Sequence, residues 1–123
     1  MTALPSNALV VRGGLIADLD ALIEQAEDEH AVSGRYRLST FCGVKDGNEN
    51  DEDLLKRIIQ EAPVPNGQVR TTRVGVLLDL GFSLKQTGHP DCHYDVDLGD
   101  ELSLEVVERF EQAFEVPRRN PCR

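Results

Sequence analysis

Residues 68–100, QVRTTRVGVLLDLGFSLKQTGHPDCHYDVDLGD, carry the reading on which the fold depends. Thr71 or Thr72 can cap a helix running through Leu80, with Val74, Leu77 and Leu78 turned inward and Gly81 just past its end. Phe82–Thr87 and His93–Leu98 alternate in polarity. Gly88, His89, Pro90 and Asp91 lie between them, which is hairpin spacing. Two of the three histidines and one of the three cysteines fall in this stretch, so any chemistry is expected there.

Upstream, Leu15–Glu29 places Leu15, Ile16, Leu19, Leu22, Ile23 and Ala26 at helical spacing, with Asp18, Glu24, Glu27 and Asp28 on the opposite face. In Arg35–Val44, Tyr36, Leu38, Thr40 and Cys42 alternate against Arg35, Arg37 and Ser39, the pattern of a strand with one buried face. The loop KDGNENDED supplies caps for a helix over Asp51–Ala62, with Leu54, Leu55, Ile58 and Ile59 inward. Pro63, Pro65 and Gly67 end that helix.

Downstream, Ser103 caps a helix over Leu104–Glu115, stapled by Leu102 and Val107. Leu104, Val107, Phe110 and Phe114 line its inner face. The ends, 1–7 and 117–123, are expected to be flexible. The order of elements predicts an α+β fold in one domain over 1–123: three to four helices with a small antiparallel sheet that includes a C-terminal hairpin. The expected core contains Leu19, Ile23, Leu38, Leu55, Ile58, Leu77, Leu78, Phe110 and Phe114.

The chain has 123 residues, 40% hydrophobic, without Trp. That suits one aliphatic core. No apolar run reaches the roughly 18 residues of a membrane span, and the N-terminus lacks a basic start, so neither a membrane segment nor a signal peptide is expected. The three cysteines, Cys42, Cys92 and Cys122, include no C-x-x-C pair. An odd count argues against a disulfide framework and for a reducing cytoplasm, in a bacterial type of protein. The net charge of −9 repels nucleic acid phosphates and favours a basic partner.

His89, Cys92, His93 and Asp95 offer metal-ligand types close together. On a strand, however, His93 and Asp95 share one face while Cys92 and Tyr94 share the other, so the cluster is split. No metal and no cofactor is expected. Cys92 and His93 point apart for the same reason, which leaves His89 as the better base if Cys92 were a nucleophile. The acidic run NENDED lacks the spacing of a calcium loop.

The segment from Asp51 to Leu98, read as helix, turn, helix and hairpin, resembles a winged helix-turn-helix over under half of the chain. The resemblance implies DNA binding through Arg70, Thr72 and Arg73 on the second helix, with Lys85 on the wing. The run LLDLGFSLKQTGHPDCHY resembles HicA-type mRNA interferase toxins in its leucine-rich helix, Gly81-Phe82 and Gly88-His89. That resemblance implies a ribonuclease whose single catalytic histidine is His89.

The reading favoured by charge and size is a non-catalytic acidic binding protein of immunity, antitoxin, inhibitor or adaptor type. Its partner is expected to be a protein with a basic face. The contact residues expected are Asp46, Glu49, Asp51, Glu52 and Asp53 in the loop and Glu27 and Asp28 on the first helix.

Overall fold

Strand β1, Leu9–Gly13, runs through the middle of the sheet and is apolar on both sides. The computed structural model describes residues 4–14, 19–62 and 64–123. Around β1 the described chain adds α1 (Leu19–Ser33), β2 (Arg37–Gly43), α2 (Asp51–Glu61), β3 (Gln68–Arg73) and α3 (Val74–Asp79). It continues with β4 (Ser83–Gln86), β5 (His93–Asp97), α4 (Leu104–Gln112) and β6 (Arg118–Arg119). The strands form one six-stranded sheet in the order β4-β5-β2-β1-β3-β6, antiparallel throughout. The fold is α+β.

Alternation divides the core. Val10, Leu38, Cys42 and Val96 point to one side, where they pack with Leu22 and Ala26 of α1, Val74 and Leu77 of α3, and Val107 and Phe110 of α4. Leu9, Val11 and Val69 point to the other, against Leu54, Leu55, Ile58 and Ile59 of α2. A Cβ at Gly43 would lie 3.1 Å from two side-chain carbons of Ile58, so this glycine lets α2 approach the sheet closely.

Local chemistry explains the elements that the sequence foretold. The Asn50 side chain caps α2 by accepting from Asp53 N, and Ser103 caps α4 by accepting from Val106 N. Gly81 follows α3 with φ +91°. Its N–H donates to Leu78 O, and Phe82 N–H donates to Leu77 O. This is a Schellman ending, with Phe82 and Leu77 in the same apolar cluster. The β4–β5 hairpin forms as expected.

Other expectations are corrected. Thr71 and Thr72 do not cap a helix: Gln68–Arg73 is strand β3, and α3 starts only at Val74. Val69, Thr71 and Thr72 are β-branched and suit a strand buried on both faces. Leu78 is 47% exposed, although Leu77 is fully buried. Leu104 is likewise exposed. Leu19 and Ile23 are half-buried against the core rather than within it.

Helix α1 runs past Glu29 to Ser33, with His30 stacked on Tyr36 at 4.3 Å. Leu15, Ile16 and Asp18 of the expected helix, and Pro63, lie outside the described residues. Part of the stretch 117–123 is hydrogen-bonded to the rest of the chain. β6 pairs with Gln68 and Val69, and the buried Asn120 side chain donates to Val64 O (3.1 Å) and Asn66 O (2.9 Å). Within 1–7, Pro5 O accepts from Ala8 N and Ser6 O from Gly75 N.

Candidate functional site

Helix α2 fills one side of the sheet over β1 and its neighbours, and there the strand residues are apolar. Over β2, β5 and β4 the same side turns polar. The register sets Ser39 opposite Asp95 and Phe41 opposite His93, with Lys85 opposite Asp95 on the next strand.

In this polar half Ser39 Oγ lies 2.6 Å from His93 Nε2. His93 Nδ1 lies 2.8 Å from Thr87 O. A carbonyl oxygen only accepts, so Nδ1 carries the hydrogen, and in the neutral ring Nε2 accepts from the Ser39 hydroxyl. The Thr87 hydroxyl donates to Asp95 Oδ2 at 3.0 Å, and Phe41 meets the imidazole edge-on at 5.4 Å. The ring is thereby fixed on three sides. Ser39 itself is exposed, and His93 is half-buried.

Ser39 also lines a cleft of about 240 Å³ together with the apolar Phe41, Ala62 and Val64 and the polar Arg12, Gln25 and Asn66. Arg12 leads into a buried charge cluster. Its NH1 donates to Ser39 O at 2.8 Å, where the β1–β2 pairing has stopped at Val11 and Phe41. Across β1 and β3, Arg12 is the register partner of Arg70. Arg70 is 1% exposed and donates to Glu111 Oε2 at 2.5 Å. Burial, and then repulsion from Arg70, pull the Arg12 guanidinium down to about 10, with Glu111 acting in the opposite sense. Arg12 and Arg70 lie over the Phe110 and Phe114 rings, each 5.4 Å from the centroid.

The residues singled out from sequence are dispersed. His89 sits exposed on the β4–β5 turn, while the histidine with an organised environment is His93. Cys42 and Cys92 meet through a backbone hydrogen bond, Cys42 N to Cys92 O at 2.8 Å. Burial pushes the Cys42 thiol up to about 12 and the Cys92 thiol up to about 11. Neither is a thiolate at neutral pH, whereas Cys122 is exposed. Iodoacetamide at mildly alkaline pH should therefore alkylate Cys122 in the native protein and leave Cys42 and Cys92 untouched until denaturant is added. Peptide mass mapping before and after unfolding reads this directly, and native-state labelling of Cys42 would contradict it. Among the described residues no group of three or more His, Cys, Asp or Glu side chains converges as a metal site.

The residues attributed to DNA contact do not form one surface. Arg70 and Thr72 are buried in β3, whereas Lys85 is exposed on β4. Arg73 bonds Asp51 (3.0 Å) and the Asn7 carbonyl (3.1 Å). The loop carboxylates are largely matched. Glu49 binds Arg57, Asp51 binds Lys45 and Arg73, and Glu52 binds Arg118. Hydrogen bonds from Arg57 hold Glu49 below the usual carboxylate range, and those from Lys45 and Arg73 do the same for Asp51. Asp46 and Asp53 remain exposed, as do Glu27 and Asp28 on α1.

No protein-family model, curated protein or solved structure matches the chain. Among the described residues no helix is long and apolar enough to cross a membrane.

The Ser39–His93 contact was not visible from sequence. The two residues are 54 positions apart and meet only because β2 pairs with β5. The alternation in Arg35–Val44 does place Ser39 on the polar face, and that was the available signal.

Proposed function

We propose that the protein acts by binding a protein partner with a basic face, in an immunity, antitoxin, inhibitor or adaptor role. The observation that carries this reading is the composition of α1. Its outer surface includes Asp20, Glu24, Glu27, Asp28 and Glu29 with no Lys or Arg in the helix. Exposed Glu24, Glu27 and Asp28 enter no ion pair among the described residues, in contrast to Glu49, Asp51 and Glu52. Helix α4, on the same side of the sheet, adds exposed Glu105 and half-buried Glu108. Exposed Glu24, Glu27 and Asp28 thus support a docking face centred on α1 more than on the 46–53 loop. Charges of one sign on such a face raise the rate of encounter with a basic partner.

The test is kinetic. A partner captured from cells should associate more slowly as salt rises from low to physiological strength, where the Debye length is about 8 Å. The Glu24→Lys, Glu27→Lys, Asp28→Lys triple variant should slow association about tenfold or more with little change in dissociation. Reversal at Asp51 and Glu52 should act more weakly, because those carboxylates already hold internal cations. Association unaffected by the α1 triple variant would overturn the proposal. So would RNA cleavage or growth arrest by the wild-type protein alone that His89→Ala abolishes.

A further inference from the structure

On the side of the sheet away from α1 and α4, an exposed hydroxyl and an oriented imidazole touch beside a cleft. We infer that Ser39 and His93 form a catalytic pair for acyl transfer from small esters, Ser39 Oγ being the nucleophile and His93 Nε2 its base.

Three observations carry this beyond an ordinary polar contact. The Thr87 carbonyl fixes the tautomer that leaves Nε2 free to accept the Ser39 proton, the part that an orienting group plays in nucleophilic catalysis. Ser39 is exposed, so a carbonyl carbon can reach it. The cleft that Ser39 lines is also lined by Phe41, Ala62 and Val64, apolar surface suited to a short acyl chain. Arg12 also lines the cleft, its guanidinium donating to the Ser39 main-chain carbonyl while lying over the Phe110 ring on the α4 side. Cys42 and Cys92 are buried, and the exposed Cys122 thiol is told apart from Ser39 by the site of the adduct.

The step balances without a cofactor. Ser39 Oγ bonds to the ester carbonyl carbon while its proton passes to Nε2. The tetrahedral adduct then collapses, the bond to the alkoxy oxygen breaks, and the imidazolium proton leaves with the alcohol. Water, giving a proton to His93, attacks the acyl-serine. The product is a carboxylic acid, and Ser39 regains its hydrogen.

The test uses the full chain with p-nitrophenyl acetate, p-nitrophenyl butyrate and a fluorophosphonate probe. A single adduct on Ser39 is expected by peptide mass spectrometry, with p-nitrophenol release above the buffer rate. Ser39→Ala should abolish both. His93→Gln, which keeps an acceptor near the hydroxyl, should slow labelling about 100-fold or more, the usual reach of a general base. Circular dichroism and thermal melting report whether each variant is folded. Should His93→Gln fail to fold, the site of the wild-type adduct and the folded Ser39→Ala variant decide the matter. No wild-type adduct, an adduct elsewhere, or His93→Gln labelling at the wild-type rate would each overturn the assignment.

Discussion

Glu111→Ala is expected to destabilise the protein by about 3–5 kcal/mol, far more than loss of a surface ion pair. Glu111 is the carboxylate that Arg70 meets inside the molecule, and their side chains are only 6% and 1% exposed. Arg12 faces Arg70 in register across β1 and β3. Truncating Glu111 would leave the buried Arg70 guanidinium without its carboxylate and with Arg12 as its register neighbour. Removing a buried ion pair as a unit is a different perturbation. The double variant Arg70→Met, Glu111→Leu should therefore recover most of the loss. Urea unfolding of wild type, Arg70→Met, Glu111→Leu and the double variant completes the cycle. A loss below about 1 kcal/mol for Glu111→Ala would mean that water already reaches Arg70.

Phe110→Ala should cost about 3–5 kcal/mol, toward the upper end for a core aromatic. Phe110 is fully buried. Its ring meets Phe82 edge-on at 6.3 Å, Phe114 at 5.2 Å and the Arg12 guanidinium at 5.4 Å. One truncation thus removes apolar burial, two ring contacts and the surface on which Arg12 rests. The melting temperature should fall by more than about 10 °C. Leu104→Ala, on the same helix but half exposed, should move it little. Equal shifts for the two variants would mean that α4 presents a different face to the sheet.

What could be read from sequence depended on whether burial left a periodic trace. Helices α2 and α4 each have one apolar face and a capping side chain, Asn50 and Ser103, so their positions were legible. The β4–β5 hairpin announced itself through alternation around Gly88 and Pro90. Strands β1 and β3 are buried on both faces, which erases the alternation by which a strand is recognised. Thr71 and Thr72 before an apolar run resemble helix caps equally well, and the decision fell to pairing with β1. Arg70 looked like a surface residue. Its burial rests on Glu111, 41 residues away. Of the candidate site, the residue types were in view but the meeting of Ser39 with His93 was set by strand order alone.

Strand β6 has a consequence for how copies of this chain meet one another. Without it, β3 would offer a row of bare amides and carbonyls along the rim of the sheet, the template on which chains zip into aggregates. Two residues, Arg118 and Arg119, cover that rim at Gln68 and Val69, both exposed and both cationic. At the opposite rim β4 is four residues long and presents exposed Lys85. Neither border is long or neutral enough to add a strand readily. The edges of this sheet are therefore built to refuse company.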